Sequence, residues 1–454
     1  MRASVVAERA GIRSVSIVGQ GFAELGRAVG AVLGAPHLAI AVYPDVLMTD
    51  TQLAASVESL ADDIIAGLQR SPASLNGSGA PPDLPDRAVV ASGTLDEIEE
   101  AFEQFGWSDG LPIVPPTVER VQAFLRHIDR DPAEAIGVLL PENAEATVWN
   151  VAVNGVMAGC RPEYMPLLVA IVEAIADPVF QLENAGSTSG LEPLVIVSGP
   201  IGERLGFNSG QGVTRIGRRA NTSVGRFLRL VMRNVAGFRI PPGTHDLATF
   251  GANFNVALAE DDVAVRALGW PNFAMDRGFD QTEDVVTVLG SLATTHTAPA
   301  AGSTPEELLR TLVEEIGQTL WAKGSWTGLY WGILHPLLVL SPAIAAPIRA
   351  SGWTKDDVRQ YLWEHTRIRV ETVERSARAD GAAFSFSRWV DEGRLPREYA
   401  TSNDPDREVP AILSPDDILI VVAGNPNRNH AMGYLQHGGY GSPVSKRIGP
   451  ARGS

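Results

Sequence analysis

Short runs dominated by valine, isoleucine and leucine punctuate the chain: SVSIV (14–18), LAIAVYP (38–44), LVIVSG (194–199), VVTVLG (285–290) and ILIVVAG (418–424). Their length and their β-branched content predict strands. Between them lie segments with apolar residues at helical spacing. Thr51 to Leu68 carries Leu53, Val57, Leu60, Ile64 and Ile65 on one face, and FAELGRAVGAVLG (22–34) has a similar period. Further helices are predicted over Leu95–Phe105, Thr117–His127, Pro162–Ala176, Thr222–Ala236, Pro305–Ala322 and Thr354–His365. The mixture predicts an α/β fold.

The predicted organisation is a small, incomplete parallel βαβ unit over residues 1–70, followed by a large mixed αβ domain over 93–454, built as one body or two lobes. The residues between, 71–92, open with SPASLNGSGAPPDLPDR, whose Ser, Gly and Pro content reads as a linker. No internal repeat is apparent to inspection.

Charge narrows the partners. The 454 residues hold 37 Lys and Arg against 53 Asp and Glu, a formal charge of −16, which argues against nucleic-acid and anionic-membrane binding. The first residues, MRASVVAERAGIR, place Glu8 and Arg9 where a signal peptide needs an apolar run. The most apolar stretch, Leu337 to Ile348, is cut by Pro342 and Pro347, so no spanning helix is expected. Cys160 is the one cysteine, which excludes an intramolecular disulfide and makes the cytoplasm the expected compartment.

Three blocks carry candidate chemistry. In NGVMAGCRPEYMPLLVAIVEAI, Cys160 precedes Pro162, a favoured first helical position. A thiolate there feels the positive end of a helix, which lowers its pKa and suits a nucleophile. Glu163 and Tyr164 in the first turn are placed to exchange protons. The alternative is that Cys160 is a buried filler and Glu163 only complements the helix dipole.

NSGQGVTRIGRRANTSVGRFLRLVMRNVAGFR (208–239) holds seven arginines and no acidic residue. Arg226, Arg229 and Arg233 share a helical face, with Arg218, Arg219 and Asn221 before it and Thr222 and Ser223 as caps. The block reads as an anion site, using Asn208, Ser209, Arg218, Arg219 and Asn221; the alternative is a row paired with carboxylates elsewhere. No Gly-Lys-Ser/Thr follows GQGVTRIG, so a Walker loop is not expected.

The third block is ILIVVAG followed by NPNRNHAMGYLQHGGYGSP, where Asn425, Asn427, Asn429 and His430 follow a strand end, with His437 a weaker candidate. The histidine spacings match no metal motif, and neither a metal nor a cofactor is predicted. GWSDGLPIVPPT (106–117) is a rigid connection, either a well-packed turn or an element that positions a lid or a subunit contact.

These blocks, with LVIVSGPI and RRANTSVGRFLRLVMRNVAG, resemble the large C-terminal region of relatives of the UGSC family of (seleno)proteins; residues 1–70 resemble the rear half of the UGSC-like domain. The resemblance implies a thiol- or selenol-using enzyme, distantly similar to selenoprotein subunits of glycine and proline reductases. It places the Cys160 block, Asn208, Ser209, Arg219 and Asn221 in the shared pattern. The name-giving Sec/Cys-Gly-Ser-Cys segment has no counterpart, since no cysteine precedes Cys160. Either that redox chemistry is lost or a companion chain supplies it.

The expectation is therefore an enzyme subunit, oligomeric, performing thiol-assisted cleavage or formation of a bond next to N or S on a small anionic substrate. Cys160, Glu163 and His430 are its expected catalytic groups. Two rivals stand beside it: a non-catalytic subunit that completes a cysteine-bearing companion, and a cofactor-free hydrolase or lyase.

Overall fold

The computed structural model describes residues 2–20, 23, 26–27, 30, 35, 37–43, 50–70, 87–187, 189–239, 245–246, 248, 256–295, 297–322, 334–379, 384–436 and 441–450. The chain divides into two compact units, Met1–Ser92 and Gly93–Ser454. Most of the expected helix at 22–34 and most of the expected linker lie outside the described residues; Ala23, Gly26, Arg27 and Gly30, which are described, are helical.

In the first unit, α1 (Arg2–Arg9) precedes β1 (Val15–Gly19), β2 (Ala39–Tyr43) and α2 (Asp50–Gln69). The two strands pair in parallel, Val15 opposite Ala39, and α2 packs across them. Ser4 and Ser16 hydroxyls meet at 2.9 Å and the Glu8 carboxylate accepts the Ser14 N–H at 2.8 Å, tying α1 to β1.

The second unit opens with α3 (Leu95–Gln104) and α4 (Val118–Leu125), then the hairpin β3 (Ala135–Leu139) and β4 (Ala144–Thr147). Next come α5 (Val148–Met157), α6 (Met165–Ala176), β5 (Glu192–Ser198), α7 (Arg219–Asn234), β6 (Leu258–Ala259), α8 (Asp262–Leu268) and β7 (Val285–Ser291). The remainder contains β8 (Ala293–Thr294), β9 (Ala298–Pro299), α9 (Pro305–Leu312), β10 (Leu337–Leu340), α10 (Pro342–Ala350) and α11 (Lys355–His365). A small antiparallel pair, β11 (Arg367–Arg369) and β12 (Glu408–Pro410), precedes β13 (Leu419–Val422), β14 (His430–Leu435) and β15 (Val444–Arg447).

Helix starts follow local hydrogen bonding. Thr94 with Glu97, Thr147 with Asn150 and Thr354 with Asp357 form reciprocal capping boxes. Two expectations shift. α7 begins at Arg219 rather than Thr222, whose hydroxyl instead accepts the Gly217 N–H, and the helix starting at Pro305 widens into a π stretch over Val313–Trp321.

Two sheets organise this unit. One runs β15-β7-β5-β6 and the other β13-β10-β14-β8, with β9 also on β14. Their inner faces share one core: Leu194, Ile196, Leu258 and Leu289 of the first meet Leu337, Val339, Leu419 and Val421 of the second. The alternate residues of the second sheet, Leu338, Leu340, Ile420 and Val422, face outward onto α9, α10 and α11. α6 and α7 cover the first sheet. The result is four layers, helix, sheet, sheet, helix. Because these strands are covered on both faces, every residue of β5, β7, β10 and β13 is buried and their sequences run near-continuously apolar rather than alternating, broken by Glu192 and Ser198 in β5 and Thr287 and Ser291 in β7.

The sheets repeat one topology, which inspection of the sequence did not reveal. β5 pairs in parallel with β6 and antiparallel with β7; β10 pairs in parallel with β13 and antiparallel with β14. Each sheet receives its next strand from the other repeat. β15, which follows β14, pairs with β7, and β8 and β9, which follow β7, pair with β14. Among the described residues no helix is long and apolar enough to cross a membrane.

Candidate functional site

Cys160 follows α5, and Pro162 opens a single 3-10 turn before α6. The expected low thiol pKa does not materialise. Cys160 is 4% exposed, its Sγ donates to the Ser223 carbonyl at 3.3 Å, and burial pushes the thiol up to about 12 against the opposing pull of Arg219 and Arg226. Glu163 points to solvent, with Arg161 at 3.7 Å. The geometry therefore gives Cys160 and Glu163 packing and surface roles.

The arginine row of α7 is largely consumed by structure. Arg226 makes a bidentate pair with Asp109 at 2.9 and 2.8 Å and donates to the carbonyls of Leu111 and Pro112. Arg233 donates to Gly106 O, Arg229 pairs with Glu192 at 3.0 Å, and Arg219 donates to Gly159 O. The row thus clamps the GWSDGLP segment to the helix, so that segment is a held turn. Asn221, fully buried, accepts the Asn208 N–H and donates to the carbonyls of Asn208 and Ala257, which fixes the glycine-rich loop. Asn208 and Asn221 are scaffold here, and Arg218 is exposed.

What the scaffold positions lies elsewhere. At the carboxyl ends of the parallel strands β10 and β13, a cavity of about 310 Å³ opens between the loop holding Arg215 and the turn joining β13 to β14. Val213, Val339 and Met432 give it an apolar lining, and Arg215, Arg428, Asn425, Ser341 and His430 its polar groups. Gly424, at φ +108°, turns the chain out of β13, and its N–H donates to the Ser209 carbonyl at 2.7 Å. That bond joins the second sequence block to the third.

Ser341 and His430 are neighbours across the sheet. Leu340 is opposite Ala431, and the Ser341 N–H donates to the His430 carbonyl at 3.2 Å. Directly opposite side chains emerge on one face about 5 Å apart at Cβ. Ser341 is 4% exposed and its hydroxyl has no partner among the described residues; it does not cap α10. Neither Arg215 nor Arg428 forms an ion pair among the described residues. Among the described residues the Arg428 guanidinium donates to the Asn427 carbonyl.

A second cavity, of about 250 Å³, occupies the equivalent place in the other repeat, at the ends of β5 and β6. Its character is acidic. Glu203, Glu260, Asp261 and Asp262 line it, and Glu260 accepts the hydroxyl of Ser198, the counterpart of Ser341, at 2.6 Å. Burial raises the Glu260 pKa, opposed by the Lys355 ammonium. No metal-binding cluster of His, Cys, Asp or Glu occurs among the described residues.

Of the residues singled out from sequence, Asn425 and His430 meet at the first cavity, joined there by Arg215 of the arginine-rich block, and Ser209 supports it through its carbonyl. Cys160, Glu163, Arg218 and Arg219 do not line it. His437 lies outside the described residues. Sequence reasoning missed Ser341 and Arg428. The available signal was the recurrence of Pro-Leu, three apolar residues and Ser at 193–198 and 336–341. No protein-family model matches the chain, and no curated protein or solved structure shows significant similarity to it.

Proposed function

We propose that this chain is an enzyme acting on a small anionic substrate held in the cavity at the ends of β10 and β13. Arg215 and Arg428 hold the anion, the apolar lining takes its carbon body, and His430 exchanges a proton with it. One observation carries this reading. In a chain of formal charge −16, the described residues lining the cavity bring together two guanidiniums, an imidazole and a hydroxyl with no partner among them, and include no carboxylate. Such a set supports the hydrolase or lyase class over thiol-assisted chemistry, since the Cys160 sulfur is sealed against Ser223.

Scanning fluorimetry with short carboxylates and with inorganic phosphate tests the reading. Such anions are expected to raise the melting temperature of the parent chain and to do so much less in the Arg215→Ala, Arg428→Ala double variant. Equal stabilisation of both proteins defeats the proposal. For any anion found to turn over, His430→Gln is expected to abolish turnover while binding persists.

A second reading, a companion chain, is favoured by a separate observation on the first unit. Its two-stranded sheet exposes Ile17 and Tyr43, and α2 exposes Val57, Ile65 and Leu68. Two strands, the number among its described residues, are marginal alone, so these exposed apolar side chains suit a cysteine-bearing companion of the kind the UGSC resemblance implies. Co-expression with a Gly-Ser-Cys chain followed by size-exclusion chromatography checks it; separate elution of the two chains refutes it.

A further inference from the structure

We infer that the substrate of this cavity is a dianion with two separated acid groups, one held by Arg215 and Arg428 and the other by Ser341 and the first turn of α10; this rests on the reading of the cavity as the substrate site. Two observations point to the inner subsite independently. The first is the helix. α10 has nine residues, and its N-cap residue, Ser341, lines the cavity. Pro342 has no N–H, and the N–H groups of Ile344 and Ala345 bond the Ser341 carbonyl, which leaves the Ala343 N–H as the donor of that turn with no backbone partner among the described residues. The positive end of the helix favours an anion.

The second is the Ser341 hydroxyl itself: the residue is 4% exposed, and the buried hydroxyl has no partner among the described residues. A buried hydroxyl without a hydrogen bond is a cost to the folded chain, and an acid oxygen relieves it. Charge balance agrees. With two guanidiniums, a helix N-terminus and no carboxylate among the described lining residues, a monoanion leaves positive charge unmatched.

Calorimetry on the full chain separates the alternatives, using succinate, butyrate and inorganic phosphate as probes. Succinate is expected to bind at least about tenfold tighter than butyrate, and tighter than phosphate, whose charges sit on one centre. Ser341→Ala is expected to remove most of that preference while leaving butyrate affinity within about twofold. Arg215→Ala with Arg428→Ala is expected to weaken both carboxylates. Circular dichroism and melting temperature confirm that each variant is folded. If Ser341→Ala leaves the succinate preference intact, or if phosphate binds as well as succinate, the inner subsite is refuted while the substrate site stands. If none of the probes binds the parent chain, both fall.

Discussion

Replacing Asn221 tests whether the glycine-rich loop is held as described. The Asn221 side chain is fully buried and makes three hydrogen bonds to backbone: Oδ1 from the Asn208 N–H at 2.8 Å, and Nδ2 to the carbonyls of Asn208 and Ala257, both at 2.9 Å. Asn221→Ala strips all three. The Ala257 carbonyl is buried and loses its partner outright, whereas the half-buried Asn208 recovers part of its hydrogen bonding from water. With about 1–3 kcal/mol for a buried group left unpaired and less for the other two, the expected loss is about 2–4 kcal/mol. Asn221→Asp is nearly isosteric but turns both donated bonds into oxygen–oxygen repulsion and places a charge in the core, so its loss at neutral pH is expected to exceed that of Ala. Urea unfolding followed by tryptophan fluorescence measures both. Because the same loop carries Arg215 to the cavity, succinate affinity is expected to fall with stability. An Asn221→Ala loss below about 0.5 kcal/mol, the range of an ordinary surface change, refutes the clamp.

Native Cys160 is expected to react slowly with a thiol reagent at pH 8 and completely in urea, and Cys160→Ala is expected to leave anion binding unchanged; rapid labelling of the folded chain contradicts its burial. Glu192 offers a pH test: burial holds its carboxyl up at about 8 despite Arg229 at 3.0 Å, against 4.5 as the ordinary value. The folded chain therefore carries the extra proton between those values, and stability falls as pH rises through that window. Glu192→Gln is expected to match the parent near pH 5 and to exceed it near pH 9; a difference that does not change with pH overturns the assignment.

The α/β class was legible because strand and helix signals are local. Runs such as LVIVSG and ILIVVAG announce buried strands, and capping residues such as Thr354 sit where helices begin. What escaped depends on distant partners. The arginines of α7 read as an anion site because the groups that satisfy Arg226, Asp109 and the carbonyls of Leu111 and Pro112, lie more than a hundred residues upstream. Cys160 read as reactive from its place before Pro162, but its pKa is set by burial, with the sulfur donating to Ser223 across on α7. Ser341 escaped because a serine before Pro342 looks like an ordinary cap, and only its unfilled hydroxyl in three dimensions distinguishes it. That His430 lines the cavity was legible because the end of a strand is itself a local cue.

The crossing of β15 into the first sheet and of β8 and β9 into the second has a consequence for the molecule's history and its engineering. Each half wears a piece of the other, like clasped hands. A fragment stopping after β9 would lack the ribbon that shields β7 and would carry two stubs with nothing to lie against. Splitting the gene there is thus expected to yield halves that recover shape only when mixed.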